Sequence, residues 1–361
     1  MFHETPLHSR AEAHAKAALH QELQRFGIMS DSRISSLRSQ RSEAFEEMKS
    51  VVKLALHGKA DLRLFGSVVT GLCEDASDID ATVSVDFQLL NFTLTGSHVM
   101  ISPQSLCGLA VQRIADYVNL HSYLGMAILQ LVVAAKVPIV TIRLPSGFVV
   151  DLSINNELPL FNTALLKCYA ETDERVRILV LCVKRWAKLM SISGAKTGNL
   201  SSYGWTMLCI YFLQVCEQPV LPSIQAEAGE VNRRFTCRST GRQFNVGFAP
   251  HRARLLNAHS ITDILQAFFV FFSRSFVWGR EVVSIRTGAR GGIEEYPMLR
   301  GRAGLFHVED PIDVEKNLNC VLDTAGVARL KDAFDGTASK LATASASVLL
   351  QHARILTGGH L

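Results

Sequence analysis

The sequence predicts an α+β protein of two domains, a mixed-sheet domain followed by a largely helical one. The chain has 361 residues, enough for two hydrophobic cores. Short β-branched runs are concentrated before residue 154, and runs with helical spacing dominate after it. We therefore predict a sheet domain at 34–154 and a helical domain at 155–361. Residues 1–33 form a further helical segment that we expect to pack on the second domain.

Composition restricts the class of protein. Apolar residues make up 48% of the chain and charged residues 19%, as in a globular protein. The net charge of +4 permits a polyanionic partner without requiring one. The longest apolar runs, such as 264–272, are too short to span a bilayer, so we expect no membrane partner. The eight cysteines include no Cys-x-x-Cys pair and are predicted to be reduced.

In chain order, the first domain begins with two predicted helices, at 7–25 and 34–57. Its later elements share a pattern of short strands around one amphipathic helix: strands at 62–66 and 79–85, a helix at 104–121, and strands at 137–144 and 148–154. The second domain is predicted to be helical at 159–169, 173–191, 202–217, 260–275, 324–336 and 338–354. Residues 218–255 read as irregular.

Residues 65–80 carry the first chemical motif. Gly66 and Ser67 read as a turn that opens a short helix, and Asp78 and Asp80 belong to the next strand. Residues two apart on a strand share a face, so both carboxylates can bind one hard cation such as Mg²⁺. Gly66 allows close backbone approach, and Ser67 lies at a helix N-terminus, where phosphate binds favourably. A plain turn before a solvated strand edge is the simpler alternative.

Asp151 is the only acid in the apolar strand 148–154. Such an acid is costly unless it faces solvent, a partner or a metal. Two-metal enzymes use a small set of carboxylates, because the attacking and leaving oxygens both develop negative charge. An edge-strand Asp facing water explains the residue equally well in isolation. Its position two strands after Asp78 and Asp80 favours a third metal ligand.

Two helices carry candidate phosphate and base contacts. Lys184 and Lys188 are four residues apart, about 6 Å along a helix axis, and could converge on one triphosphate. An ordinary basic surface explains that spacing at least as well. Ser202 and Tyr203 lie in the first turn of the next predicted helix, where Ser202 could bind phosphate and Tyr203 could stack on a base. The alternative is an N-cap followed by a half-buried Tyr.

Together the motifs resemble those of the terminal uridylyltransferases and noncanonical poly(A) polymerases, which are DNA polymerase β-like nucleotidyltransferases. The resemblance is greatest to small trypanosomatid uridylyltransferases of mitochondrial RNA editing, and it spans about residues 60–325. The motifs that carry it are Phe65-Gly66-Ser67, Asp78-x-Asp80, Val150-Asp151-Leu152-Ser153, Asn162-Thr163, Lys184-Arg185-Trp186-Ala187-Lys188, Leu200-Ser201-Ser202-Tyr203-Gly204 and Glu309-Asp310-Pro311-Ile312-Asp313.

The resemblance implies a mixed-sheet palm with three carboxylates, a helical domain, and a nucleotide in the cleft between them. Asp78, Asp80 and Asp151 would hold two Mg²⁺ ions, for which Mn²⁺ can substitute. Asn162 would bind the ribose 2′-OH, and Tyr203 would stack on the base. The implied triphosphate contacts are Ser67, Thr163, Lys184, Lys188 and Ser202, and Gly66 would let the backbone approach the nucleotide closely. Asp310 and Asp313 would face the base edge.

The implied reaction is attack of an RNA 3′-OH on the α-phosphate of UTP without a template, with release of pyrophosphate. Asp151 would accept the 3′-OH proton. The expected partners are UTP, an RNA 3′ end and protein subunits of an editing complex. The expected location is the mitochondrion, and otherwise the cytoplasm.

The choice of UTP follows from hydrogen bonding. Uracil N3–H is a donor and adenine N1 an acceptor, so a carboxylate such as Asp310 favours uracil. Asp313 is shorter than the usual Glu of the family, and Lys316 stands where some uridylyltransferases have His. A poly(A) polymerase using ATP is the nearest alternative, and a catalytically inactive RNA-binding member is another. No Gly-x-x-x-x-Gly-Lys-[Ser/Thr] stretch is present, which excludes a P-loop NTPase.

Overall fold

A computed structural model describes residues 6–57, 60–74, 77–229, 233–249, 257–299, 305–319 and 322–343. They form two compact units. The palm unit lies within Ser32–Lys167 and Asn232–Val246. The helical unit lies within Met1–Asp31, Cys168–Val231 and Gly247–Leu361.

The boundaries between the two units differ from the boundary that the sequence pattern suggested at residue 154. Residues 155–167 belong to the palm unit, where Thr163 Oγ1 accepts a hydrogen bond from Gly66 N at 2.8 Å. Part of the segment predicted to be irregular also belongs to the palm unit, as a hairpin. The described residues before Ser32 belong to the helical unit.

The palm unit contains a five-stranded mixed sheet, which confirms the predicted fold class. Its strands are β1 (Asp61–Phe65), β2 (Ile79–Ser84), β3 (Ala127–Val132), β4 (Ile139–Arg143) and β5 (Val149–Ile154). The order is β1-β2-β5-β4-β3, with β2 parallel to β5 and the other pairs antiparallel. Four strands were predicted to within two residues, whereas β3 was missed. The turn after Leu144 also forms as expected, with Gly147 N donating to Leu144 O.

The two faces of this sheet differ because side chains alternate along each strand. One face is apolar and packs in the core of the unit with helix α4 (Pro103–Leu120), through residues such as Val83, Leu152 and Ile142. The opposite face is polar and carries the candidate carboxylates. The remaining short helices of the unit are α2 (Ser67–Thr70) and α3 (Phe87–Thr95), and α5 (Leu158–Thr172) begins in it.

Helix α1 runs without a break over Pro6–Ala55, so the prediction of two helices was wrong. Gly27 lies in the stretch that was left out of both predicted helices, and a mid-helix glycine costs only about 1 kcal/mol relative to alanine. Here it permits close packing, since a Cβ at Gly27 would lie 2.8 Å from Ile178 Cδ1. The Gly27 carbonyl also accepts a 2.8 Å hydrogen bond from Arg177 Nη2.

The helical unit is built on α6 (Glu174–Leu189), α7 (Ser202–Val215), α8 (Ile261–Val270) and α9 (Thr324–Thr343). A π-helical turn, Phe271–Ser275, follows α8. Buried aromatic rings join these helices, with Phe334 of α9 against Trp186, Phe268 and Phe272. A break was predicted at residue 337, but α9 continues through it and Thr337 accepts a hydrogen bond from Trp186 Nε1. The predicted helix residues 344–354 lie outside the described residues.

Short strands complete both units. The antiparallel pair β6 (Arg234–Thr236) and β7 (Gln243–Asn245) forms a hairpin in the palm unit. The parallel pair β8 (Val282–Val283) and β9 (His307–Val308) lies in the helical unit. Within the part of the chain that the structure describes, no helix has the length and hydropathy needed to cross a membrane.

Candidate active site

The polar face of the palm sheet brings two of the predicted carboxylates together. Asp80 on β2 and Asp151 on β5 are direct register partners. They therefore lie side by side on adjacent strands, whose backbones are about 4.8 Å apart. Thr141 on β4 is in turn the register partner of Asp151, and its Oγ1 donates a 2.6 Å hydrogen bond to Asp151 Oδ1. Both carboxylates are partly exposed, whereas Thr141 is buried. The result is a row of oxygen atoms across three strands.

Asp78 lies immediately before β2 instead of within it, and its side chain is exposed. Among the described residues, no group of three or more His, Cys, Asp or Glu side chains is arranged as a metal site. Mg²⁺ is typically held by one or two carboxylates together with substrate phosphates. The hard oxygen donors of Asp80 and Asp151 fit that requirement, with Asp78 two residues away.

Gly66 supports the carboxylate row directly. Its φ of 78° and ψ of −157° are strained for any residue with a side chain. A Cβ at this position would lie 2.1 Å from Asp80 Oδ2, so only glycine leaves room for that carboxylate. We predicted Gly66 as a site of close ligand approach, and the contact found here is with Asp80. Ser67 follows as the first residue of α2 and is partly buried.

The neighbouring residues Asn162 and Thr163 lie on α5. Thr163 is buried and its hydroxyl accepts the hydrogen bond from Gly66 N, so it anchors the turn before α2. Asn162 Oδ1 is buried and has no hydrogen-bond partner among the described residues. An acceptor in that state is suited to a hydroxyl donor from a ligand.

In the helical unit, Lys184 and Lys188 lie on α6 in different surroundings. Lys184 is 5% exposed, and Lys188 is solvent-exposed at the C-terminal end of the helix. Both lysines lie on one helix, four residues apart, as predicted. Their side chains nevertheless do not share one open surface, because only Lys188 is exposed. Their contact with a triphosphate remains a prediction.

The start of α7 has features of both interpretations drawn from the sequence, an N-cap with a half-buried Tyr and an exposed serine in the first turn. Ser201 is the N-cap, with its hydroxyl accepting from Gly204 N at 3.1 Å, and Ser202 is exposed in the first turn. The Tyr203 side chain is half-buried, and its hydroxyl oxygen is buried without a hydrogen-bond partner among the described residues. Burial and the nearby Asp310 carboxylate raise the pKa of Tyr203.

Asp310 forms the centre of a turn that follows β9. Its Oδ1 accepts hydrogen bonds from the backbone N–H groups of Ile312 and Asp313, both at 3.0 Å. Its Oδ2 lies 3.9 Å from Lys316 Nζ. Burial raises the pKa of Asp310, although Lys316 and the two N–H groups oppose that effect. The carboxylate thus caps the turn with one oxygen, while Asp313 is partly buried beside it.

Two supporting residues were not identified from the sequence. Thr141 is one of several β-branched residues in its strand, and only the strand order places it beside Asp151. Glu309 was part of a motif but had no assigned contact. It is buried, and it binds Arg286 Nη2 at 2.6 Å and Ser284 Oγ at 2.5 Å, which anchors the turn that contains Asp310.

Two family models match the chain. Residues 28–171 match the central palm domain of mitochondrial-like poly(A) RNA polymerase, and residues 260–316 match the Cid1 family poly(A) polymerase model. The chain is 35% identical to poly(A) RNA polymerase GLD2-A of Xenopus laevis over 50% of its length and 35% of the relative's. It is 29% identical to poly(A) RNA polymerase cid11 of Schizosaccharomyces pombe over 82% of its length and 57% of the relative's. The chain thus spans about half or less of the GLD2 relatives it matches.

Solved structures resemble the chain over most of its length. A cytoplasmic RNA terminal U-transferase superposes with a TM-score of 0.70 at 23% identity, covering 91% of this chain and 98% of the other. The Cid1 poly(U) polymerase bound to MgGTP gives a TM-score of 0.72 at 24% identity, covering 90% of this chain and 98% of the other. At these identities the likeness concerns the fold.

Proposed function

The chain belongs to the Cid1/GLD2-like family of poly(A) and poly(U) polymerases, and from that premise we propose that it transfers UMP from UTP to the 3′-OH of RNA without a template. The observation that carries the proposal is the pairing of Asp80 with Asp151 on one sheet face, braced by Gly66 and Thr141. Paired carboxylates of this kind are what nucleotidyl transfer requires at its reacting centre.

Asp80 and Asp151, with Asp78, would hold the Mg²⁺ ions, whose charge when bound assists ionisation of the 3′-OH and departure of pyrophosphate. Mn²⁺ is expected to substitute. Thr141 occupies one oxygen of Asp151, which leaves the second oxygen for metal or for the 3′-OH proton. The new bond joins the 3′ oxygen to the α-phosphorus as the bond to pyrophosphate breaks.

Asn162, Tyr203 and Asp310 are the candidate contacts for the ribose and the base. Asn162 Oδ1 is buried without a hydrogen-bond partner among the described residues, and it would accept a hydrogen bond from the ribose 2′-OH. Tyr203 would stack on the base, and Asp310 would accept from uracil N3–H. Asp313 would also face the edge of the base. The expected triphosphate contacts remain Ser67, Thr163, Lys184, Lys188 and Ser202, with Gly66 beside the nucleotide.

A second candidate is polyadenylation with ATP, because the curated relatives are named poly(A) RNA polymerases. The Asp310 carboxylate supports UTP instead, since its oxygens accept hydrogen bonds and adenine N1 offers no donor. Burial raises the pKa of Asp310, and Lys316, 3.9 Å from Asp310 Oδ2, opposes that effect by favouring the ionised, accepting form.

The test is extension of a labelled RNA primer with each of the four NTPs separately, and then with UTP and ATP in competition. We expect Mg²⁺-dependent addition that prefers UTP. Asp80→Asn and Asp151→Asn should each abolish addition while leaving the melting temperature close to that of the wild type. A preference for ATP would establish the second candidate, and full activity in Asp80→Asn would exclude both.

We also propose a mitochondrial location and association with subunits of an RNA-editing complex. The resemblance to uridylyltransferases of mitochondrial RNA editing supports both. Cell fractionation of the tagged protein, followed by its purification under native conditions, tests them. Recovery only from the cytosolic fraction would contradict the location.

A further inference from the structure

The hairpin formed by β6 and β7, residues 233–246, has an unusual charge. Residues 231–262 include six arginines and no Asp or Glu, although the whole chain has nearly balanced charges, with 37 Lys and Arg against 33 Asp and Glu. Four of those arginines lie in the hairpin, and all four are exposed: Arg233, Arg234, Arg238 and Arg242. We call residues 233–246 the arginine hairpin.

The two faces of the arginine hairpin differ in chemistry. Phe235 and Phe244 are register partners on the inner face, where Phe244 is buried and the Phe235 ring lies 4.7 Å from that of Phe161 on α5. The outer face carries hydrogen-bonding side chains that are all exposed: Arg234, Thr236, Gln243 and Asn245. The outer face is therefore polar with one cation, Arg234, and its aromatic neighbours are turned inward. Arg242 lies with its guanidinium over the Phe244 ring, 4.9 Å from the ring centroid, and is also exposed.

This face is suited to a polyanion and not to a protein interface. Protein interfaces depend on buried apolar and aromatic anchors, which the outer face lacks. Arginine presents a planar set of N–H donors that matches phosphate oxygens, and neutral amides and hydroxyls supply further contacts to phosphate and sugar. An RNA backbone offers such phosphates at regular spacing.

The arginine hairpin is also fixed to the element that carries two candidate nucleotide ligands. Besides the Phe235–Phe161 contact, Arg238 lies 3.6 Å from Glu157 at the start of α5. Asn162 and Thr163 follow Phe161 on the same helix. A strand bound to the hairpin is therefore held on the palm unit.

We propose that the arginine hairpin binds the phosphate backbone of the acceptor RNA upstream of its 3′ end. The identification of the polyanion as RNA rests on the proposed function. The contacts are electrostatic and independent of sequence, so the hairpin adds affinity for long RNA without selecting the base that is added.

The test compares two double charge reversals that change the net charge equally. Arg234→Glu with Arg242→Glu alters the hairpin, and Arg329→Glu with Lys331→Glu alters two exposed residues of α9 as the control. Affinity for a fluorescent single-stranded RNA of about 20 nucleotides is measured by anisotropy over a salt series, with Ca²⁺ present and no NTP. Melting temperatures verify that each variant folds.

We expect the hairpin variant to bind at least tenfold more weakly and the control within about twofold of the wild type. Losing two phosphate contacts should reduce the slope of log affinity against log salt by about 1.4. In extension assays, the hairpin variant should be impaired on the 20-nucleotide primer and close to wild type on a trinucleotide.

Unchanged RNA affinity in the hairpin variant would overturn the proposal and leave the surface to an acidic protein partner. Equal losses in both double variants would overturn it as well, because the effect would then depend on net charge alone. If the wild type binds RNA through the hairpin but adds no nucleotide, the proposed function fails while this binding surface stands.

Discussion

The hydrogen bond from Thr141 Oγ1 to Asp151 Oδ1 restricts rotation of a carboxylate that would otherwise be free to turn on a strand. Gly66 has a comparable effect on Asp80 from the other side of the row, by leaving space for one carboxylate oxygen. Both effects depend on residues without charge. The geometry of the reacting groups is thus maintained by neighbours that play no direct part in the proposed chemistry.

Thr141→Val removes the hydroxyl donor with little change in volume. We expect kcat/KM for nucleotide addition to fall by one to two orders of magnitude, because a hydrogen bond to a charged group is worth about 1.5–3 kcal/mol. Thr141→Ser retains the hydroxyl and should recover most of the activity. Calorimetric titration should show that the wild type and the Thr141→Ser variant bind Mn²⁺ more tightly than the Thr141→Val variant does. Equal kinetics and equal Mn²⁺ affinity for the Ser and Val variants would contradict this.

The sequence allowed the acids to be recognised more readily than their supports. Asp80 and Asp151 stand out as charges in apolar strands, and their order along the chain made them candidate metal ligands. Thr141 is an ordinary strand residue, and its importance comes from the β5-β4 pairing, which no local pattern specifies. Gly66 was identified, but its contact with Asp80 requires the strand register.

At the scale of elements, the turn after β9 joins a rigid support to a buried acid. Glu309 is fixed by Arg286 and Ser284, and Asp310 caps the next backbone N–H groups. Burial raises the pKa of Asp310 above its usual value, so the folded protein retains that proton to a higher pH than the unfolded chain does. Stability therefore falls as the pH rises from the unfolded pKa through the raised one.

Asp310→Asn keeps the oxygen that accepts from Ile312 and Asp313 but carries no titrating proton. We expect its melting temperature relative to the wild type to increase as the pH rises above about 4, the usual pKa of Asp, because only the wild type bears a buried charge at the higher pH. Thermal melts of both proteins across that range measure the difference. A difference independent of pH would show that Asp310 titrates alike in both states.

Element boundaries were predictable where a chemical signal marks them. Pro145-Ser146-Gly147 and the Ser201 cap fall where helix or strand ends were expected. The signals failed where tertiary contacts decide the outcome, as at Gly27 against Ile178 and Thr337 against Trp186. Strands β6 and β7 are too short for an alternating pattern to identify.

At the scale of the whole molecule, the helical unit is assembled from separate parts of the chain. Its N-terminal segment is tied to the later helices by Arg177 on the Gly27 carbonyl, by Lys16 at 2.5 Å from Asp263, and by Arg185 over the Phe26 ring. Leu19 and Leu23 are buried there. The motif order predicted the fold and the family. It leaves open the choice between UTP and ATP, which we propose depends on the surroundings of Asp310.

Leu23→Ala tests whether the N-terminal segment is part of the core of this unit. Leu23 is fully buried, so truncation should cost about 2–5 kcal/mol through lost burial and a cavity. Gln24→Ala, at the exposed neighbouring position on the same helix, should change stability by less than about 0.5 kcal/mol. Denaturant unfolding of both variants provides the comparison. Equal effects would mean that the segment does not contribute to the core.

The division of the helical unit around the palm unit has a consequence during synthesis on the ribosome. Residues 6–31 are translated before the stretch 32–167, whereas packing partners such as Ile178 and Asp263 are translated after it. The apolar side chains of Leu19 and Leu23 therefore stay exposed on the nascent chain until the later residues have been synthesised. Such waiting segments are where chaperones bind and where premature aggregation begins. A slower passage of the ribosome between residues 32 and 167 would lengthen that exposure.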